Sequence, residues 1–164
     1  MIKKINILLL TMFGIGYSKF APGTVASFCT SLMFIFFYNL QINILLLILA
    51  VSLIFIFSVY SIDSFKNSFN EIDAKEIVID EFLGQSIPIL TIYSFIEKND
   101  NSNFIFFTMV SFLLFRLFDI IKPYPINKID INMKNGFGVV LDDIVAGILS
   151  ALVLIAIVSL IYNA

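Results

Sequence analysis

The stretch Val139 to Tyr162, VVLDDIVAGILSALVLIAIVSLIY, carries no charge except the acid pair Asp142 and Asp143 near its start. A helix needs about 20 mainly apolar residues to cross the hydrocarbon core of a bilayer, and this run supplies them by itself. Ile42 to Ile62 also qualifies outright. Val25 to Leu40, Phe82 to Ile96 and Phe104 to Ile121 are shorter, but each gains a turn from its flanks, where polar residues are tolerated and Lys or Arg can snorkel. The expected fold class is therefore all-α: an integral membrane helical bundle of about five transmembrane helices, forming one domain over residues 1–164.

Composition agrees with that reading. Of 164 residues, 60% are hydrophobic, with only 10 Lys+Arg and 12 Asp+Glu, and the mean hydropathy is +1.01. Soluble domains are about 45–50% apolar and about 25% charged, so this chain has too few polar side chains to cover a water-exposed surface. A net charge of −2 without a basic tail argues against nucleic acid as a partner. The one cysteine, Cys29, excludes an intrachain disulfide and a Cys cluster for zinc, and the absence of histidine removes every mechanism that needs a His nucleophile, base or metal ligand.

The apolar segment Ile5 to Phe13 is too short to span. With Lys3 and Lys4 ahead of it and Gly14, Ile15 and Gly16 behind, it has the outline of a signal peptide; the preferred reading is an interfacial or re-entrant helix that leads into a loop. With five spans, Lys3, Lys4, Lys19, Lys66, Lys75, Arg116, Lys122, Lys128 and Lys134 fall on one side and Lys98 on the other. The positive-inside rule then places the N-terminus and the segments 63–81 and 122–138 in the cytoplasm. The links 39–43 and 97–103 face outward.

Five carboxylates sit at the ends of the apolar runs: Asp80 and Glu81 opening the third, Asp119 closing the fourth, Asp142 and Asp143 opening the fifth. In this topology all five ends lie on the cytoplasmic side. A carboxylate at mid-bilayer costs about 2.5–3.5 kcal/mol on insertion scales, so one polar, partly hydrated pocket near the headgroups accommodates the set best. Acids at a helix start also complement the macrodipole, which is the plainer explanation of VIDEFLGQ, Val78 to Gln85, taken alone. The fifth run repeats the device in GVVLDDIVAG, where Gly147 and Ala151 follow Asp143 at helical spacing and permit close approach of a neighbouring helix.

Carboxylates clustered without His or Cys are hard oxygen ligands suited to Mg²⁺; salt bridges to Arg116 and Lys122 are the alternative. FRLFDIIKPYPI, Phe115 to Ile126, sets Arg116, Asp119 and Lys122 at three-residue steps before Pro123 and Pro125 end the helix. The step from Arg116 to Asp119 fits a plain intrahelical ion pair, and a guanidinium beside an ammonium also suits a phosphate ester. Asn135 to Gly138 reads as a turn that delivers the chain to Asp142. GIGYSKFAPGTVAS, Gly14 to Ser27, is not a Walker A sequence. A loop of this kind opening a helix at Thr24 offers backbone N–H groups to an anion, or serves only as a cap and turn.

Together, in this order and over nearly the whole chain, the Gly14 to Ser27 loop, VIDEFLGQ, FRLFDIIKPYPI and GFGVVLDDIVAG resemble the phosphatidylglycerophosphatase A family. The resemblance implies a multi-pass, Mg²⁺-dependent phosphatase of the bacterial inner membrane, with its active site facing the cytoplasm. Its substrate would be phosphatidylglycerophosphate and its product phosphatidylglycerol. The family's motif positions fall on Asp80, Glu81, Arg116, Asp119, Lys122, Pro123, Asp142 and Asp143. One departure is Lys19 after Ser18, where the family commonly has proline.

On that basis Asp80, Glu81, Asp142 and Asp143 are expected to hold the metal. Arg116 and Lys122 would hold the phosphoryl oxygens, Asp119 would move a proton or orient Lys122, and Asp143 would join the catalytic set. Gly23, Thr24 and Ser27 are expected to assist substrate binding. The partners are the lipid substrate and the bilayer, and a homo-oligomer is compatible with the sequence. A small transporter using interfacial carboxylates is the main alternative from another class. It usually shows a pseudo-symmetric repeat, which is not evident here. A CDP-alcohol phosphotransferase lacks its DG-x-x-AR run here, and a non-catalytic partner subunit would not need so many charges at one face.

Overall fold

The computed structural model describes residues 2–65, 74–97 and 99–162. Lys66 and Lys98, two of the charges used to orient the chain, lie outside the described residues. Seven helices form among them: α1 (Ile2–Leu10), α2 (Pro22–Asn39), α3 (Ile44–Phe65), α4 (Ile79–Phe95), α5 (Asn101–Ile121), α6 (Ile126–Asn132) and α7 (Gly136–Tyr162). A short 3-10 turn, Ile15–Tyr17, joins α1 to α2. The all-helical class is as expected.

Local chemistry explains most boundaries. Pro22 opens α2, where a missing N–H costs nothing and the fixed φ favours a helix. The expected start at Thr24 is therefore two residues late. The Asp100 side chain accepts from the Asn103 N–H and starts α5. Lys122 ends that helix in a left-handed conformation (φ 46°), and Pro123 prevents its continuation. Asn135 Oδ1 accepts from the Gly138 N–H at 2.8 Å and Asp63 Oδ1 from the Gly136 N–H at 2.8 Å. Those two caps make Gly136 to Gly138 the first turn of α7, not the loop turn expected from their composition.

Among the described residues three helices, α3, α5 and α7, are long and apolar enough to cross a membrane. α4 is the shorter central helix and packs against α7, α2, α5 and α3, while α6 lies on α7 and α1 on α3. The expected N-terminal helix is present as α1, and its last carbonyl, on Leu10, accepts from the Val78 N–H just ahead of α4. Leu45, Leu49, Leu53, Ile56 and Tyr60 of α3 point outward and form part of a broad apolar exterior, which has its counterpart in lipid rather than water. Several buried hydroxyls are satisfied inside their own helices: Ser27 donates to Gly23 O, Thr30 to Ala26 O, Ser86 to Phe82 O and Ser150 to Ala146 O.

The two ends of the bundle differ in chemistry. At one end the Tyr38 ring stacks on Phe104 with centroids 3.9 Å apart, the Tyr38 hydroxyl donates to the Glu97 carbonyl, and the Tyr93 hydroxyl donates to Ile42 O at 2.7 Å. The opposite end gathers the starts of α2, α4 and α7 with the end of α5, and the carboxylates concentrate there.

Candidate active site

Asp80 precedes Gly84 by one helical turn, and Asp143 precedes Gly147 by one turn, so each acid shares a face with its glycine. The glycines are where α4 and α7 touch. A Cβ on Gly84 would stand 2.6 Å from the Asp143 carbonyl oxygen, and one on Gly147 would stand 2.3 Å from the Gly84 carbonyl oxygen. With the two backbones in contact and running the same way, the acids one turn earlier must face each other. Oxygens of Asp80, Glu81 and Asp143 lie within 4.8 Å of one another, and Asp80 and Asp143 are only 7% and 5% exposed.

Asp142 and Asp143 lie in the second turn of α7, about 9 Å along the axis from Gly136 at 1.5 Å per residue. The macrodipole acts within the first turn, so helix capping does not account for this pair. Asp80 and Glu81 are in the first turn of α4, where the dipole contributes but does not explain why they converge with Asp143.

α2 closes the site from a third side. A Cβ on Gly23 would meet Glu81 Oε1 at 2.0 Å, so a larger residue here would displace this carboxylate from its seat against the start of α2. Ala21 provides no side-chain cap there, and a first-turn N–H has no acceptor within its own helix. Thr24, half-buried, lies in the same turn. The Ser27 hydroxyl is occupied by Gly23 O at 2.8 Å. The N–H groups of Gly14 to Ser18 are likewise taken by carbonyls of Thr11, Met12, Gly14 and Ile15. The glycine-rich loop itself is thus folded onto its own backbone, and the helix start behind it is what reaches the acids.

α5 supplies the fourth side. Arg116 Nη1 stands 2.7 Å from Asp119 Oδ2, while Asp119 also faces Asp143 and Glu81. Lys122 is the C-cap residue of α5. Its left-handed cap turns it toward α7 and α6, where Nζ is 2.8 Å from Asp142 Oδ2 and 3.2 Å from Asp130 Oδ2. Burial lowers the Lys122 ammonium, but its hydrogen bond to Asp142 and the charges of Asp142 and Asp130 outweigh that and hold it above the ordinary lysine range. Asp142 accordingly lies outside the compact group of three and acts as counter-ion to Lys122, although its charge still reaches Asp80 and Asp143.

Two orphaned groups define what the site lacks. Glu81 Oε2 is buried with no donor, and Arg116 Nε is buried with no acceptor. Such atoms cost about 1–3 kcal/mol each when unsatisfied, more when charged. The carboxylates add repulsion of about 3 kcal/mol for a charged pair at this separation and an effective dielectric of 20. A cation among the oxygens and an anion on the guanidinium satisfy both conditions. The donor set is all hard oxygen, which fits Mg²⁺.

Sequence reasoning missed two contributors, Asp130 and Asp63. Asp63 had a signal: an acid in the last turn of a helix opposes the macrodipole and needs a partner elsewhere, here the start of α7. Asp130 stands four residues before Lys134, a spacing that reads as a surface ion pair and hides its bond to Lys122.

An apolar-surfaced helical bundle that gathers carboxylates, a guanidinium and a half-buried ammonium at one end has what a membrane enzyme acting on charged headgroups needs. The chain belongs to the phosphatidylglycerophosphatase A family, whose profile matches residues 8–158. It is 31% identical to a phosphatidylglycerophosphatase A of Haemophilus influenzae over 95% of this chain and 93% of that protein. Identity to the phosphatidylglycerophosphatase A of Escherichia coli is 32%, covering 88% and 78%. A Bacteroides thetaiotaomicron protein provisionally named phosphatidylinositol-3-phosphatase is 34% identical, covering 88% and 87%. No solved structure matches the chain.

Proposed function

We propose that the acid cluster between α2, α4, α5 and α7 is the catalytic centre of a phosphatidylglycerophosphate phosphatase. Family membership carries the activity: hydrolysis of the terminal phosphate of phosphatidylglycerophosphate to give phosphatidylglycerol. The observation that supports placing this activity at the cluster is the pair of orphaned groups of opposite charge, Glu81 Oε2 and Arg116 Nε, whose charges act on each other.

Asp80, Glu81 and Asp143 are the residues that would hold Mg²⁺, which when bound offsets phosphate charge and makes water a better nucleophile. Arg116 offers Nε to a phosphoryl oxygen, with its Nη1 anchored by Asp119. Asp119 stands between Arg116 and Asp143, where it orients the guanidinium and is placed to accept a proton. Lys122 adds a point charge beside Asp142, and the start of α2 at Gly23 and Thr24 adds positive potential. All these groups come from one chain, so the chemistry does not require a homo-oligomer.

The headgroup level suits this site, since a lipid phosphate lies where the helices begin. Lys19, Lys128 and Lys134 flank the same end, and positive-inside bias supports a cytoplasmic orientation in the bacterial inner membrane with the shorter α2 and α4 also spanning. The decisive assay is phosphate release by the purified protein in nanodiscs. Phosphatidylglycerophosphate should be cleaved, and phosphatidylinositol 3-phosphate more slowly. The reverse preference would favour the activity named for the Bacteroides relative, and release from neither would refute the assignment.

A further inference from the structure

On the opposite side of α4's first turn from α7, a cavity of about 620 Å³ lies between the end of α1, α2, α3 and the start of α4. Its lining is almost entirely apolar and includes Cys29, Phe37, Leu47, Ala50, Ile79 and Phe82. The volume falls within the ~300–1,000 Å³ of small-molecule sites. We propose that this groove holds an acyl chain of the lipid substrate, so that the protein binds its substrate by tail as well as by headgroup; this rests on the phosphatase reading above.

Continuity with the acid cluster argues for that occupant. Ile79 and Phe82 line the groove and immediately flank Asp80 and Glu81 in sequence, so groove and cluster share one turn of α4. Measured from Gly23, which meets Glu81, the groove's α2 residues Cys29 and Phe37 stand about 9 Å and about 21 Å along the helix at 1.5 Å per residue, past the about 15 Å depth of one leaflet. It therefore runs from the headgroup end of the bundle toward its other end. A molecule with a phosphate at one extremity and a hydrocarbon chain at the other matches both halves.

The test compares long-chain (dioleoyl) with short-chain (dihexanoyl) phosphatidylglycerophosphate, using protein in phosphatidylcholine nanodiscs. Ala50→Phe places a ring in the groove away from the acids. It should lower kcat/KM for the long-chain substrate about tenfold, within what a filled apolar pocket commands, and leave the short-chain value within about twofold. Equal losses on both substrates, or no loss on either, would overturn the proposal.

A second measurement needs no variant. Cys29 is the chain's one thiol, and in the wild type its modification by a maleimide should slow at least about threefold when long-chain substrate is added with EDTA, in line with occupancy of the groove. Short-chain substrate should not slow it. An unchanged rate with long-chain lipid counts against the groove. Failure of the wild type to release phosphate from either substrate would instead refute the phosphatase reading, while the thiol measurement still reports on the groove.

Discussion

Gly147 and Gly84 bring the backbones of α7 and α4 into direct contact: a Cβ on Gly147 would lie 2.3 Å from the Gly84 carbonyl oxygen. The contact lies one turn beyond Asp143 and Asp80, and it sets the separation of the acids. Gly147→Val should therefore push the helices apart. The expected result is a destabilisation of about 1–3 kcal/mol, typical of overpacking, with loss of activity greater than the stability change explains. Thermal unfolding in detergent and phosphate release, measured on the same sample, check both parts. Activity near the wild-type level would mean that the acids do not act together.

Asp143→Asn and Asp80→Asn each remove one charge from the compact group while keeping its volume. Each is expected to reduce kcat by about 100-fold or more, the scale seen when one preorganised electrostatic group is lost, with the protein still inserted and monodisperse. Asp142→Asn should be milder on kcat and stronger on stability, because Asp142 neutralises Lys122. Equal kcat effects at 142 and 143 would contradict the division of roles.

Chelation offers a separate check. EDTA should abolish phosphate release and Mg²⁺ should restore it, Ca²⁺ less well because it favours more ligands and longer bonds. A rate indifferent to EDTA would remove the metal from the proposal.

Lys122 and Asp142 form a coupled pair whose behaviour with pH follows from the sign of the lysine shift. The folded-state ammonium titrates above its unfolded value of about 10.4. Its contribution is therefore fully present below about pH 10 and is lost only as pH rises through the higher folded value. Stability should show no Lys122-dependent decline between pH 7 and 9, and Lys122→Met should be destabilising throughout that range. Restoring part of the loss with Asp142→Asn in the same chain would show coupling through the pair; additive effects would show that none exists.

Asp100 serves as a control at the other end of the molecule. Its carboxylate caps α5 through Asn103 and is held below its ordinary range by those hydrogen bonds. Asn caps equally well, so Asp100→Asn should keep kcat within about twofold; a large loss would move the active end.

The sequence by itself determined the helical membrane class, because the length and hydropathy of runs such as Val139 to Tyr162 are local properties. It also marked Asp80, Glu81, Asp119, Asp142 and Asp143 as candidates, because charge at the edge of an apolar run is expensive without a purpose. Only tertiary structure decided which of them meet. Helical phase predicts which residues share a face of one helix, but not which faces of two helices touch, and that was set by Gly84 against Gly147 and by Gly23 against Glu81. The left-handed end of α5 pairs Lys122 with Asp142 and Asp130, a choice made by backbone dihedrals and partners distant in the chain. Two capping bonds from Asp63 and Asn135 likewise moved the start of α7 ahead of its acids, since side-chain acceptors brought by folding override the turn preference of a glycine-rich segment.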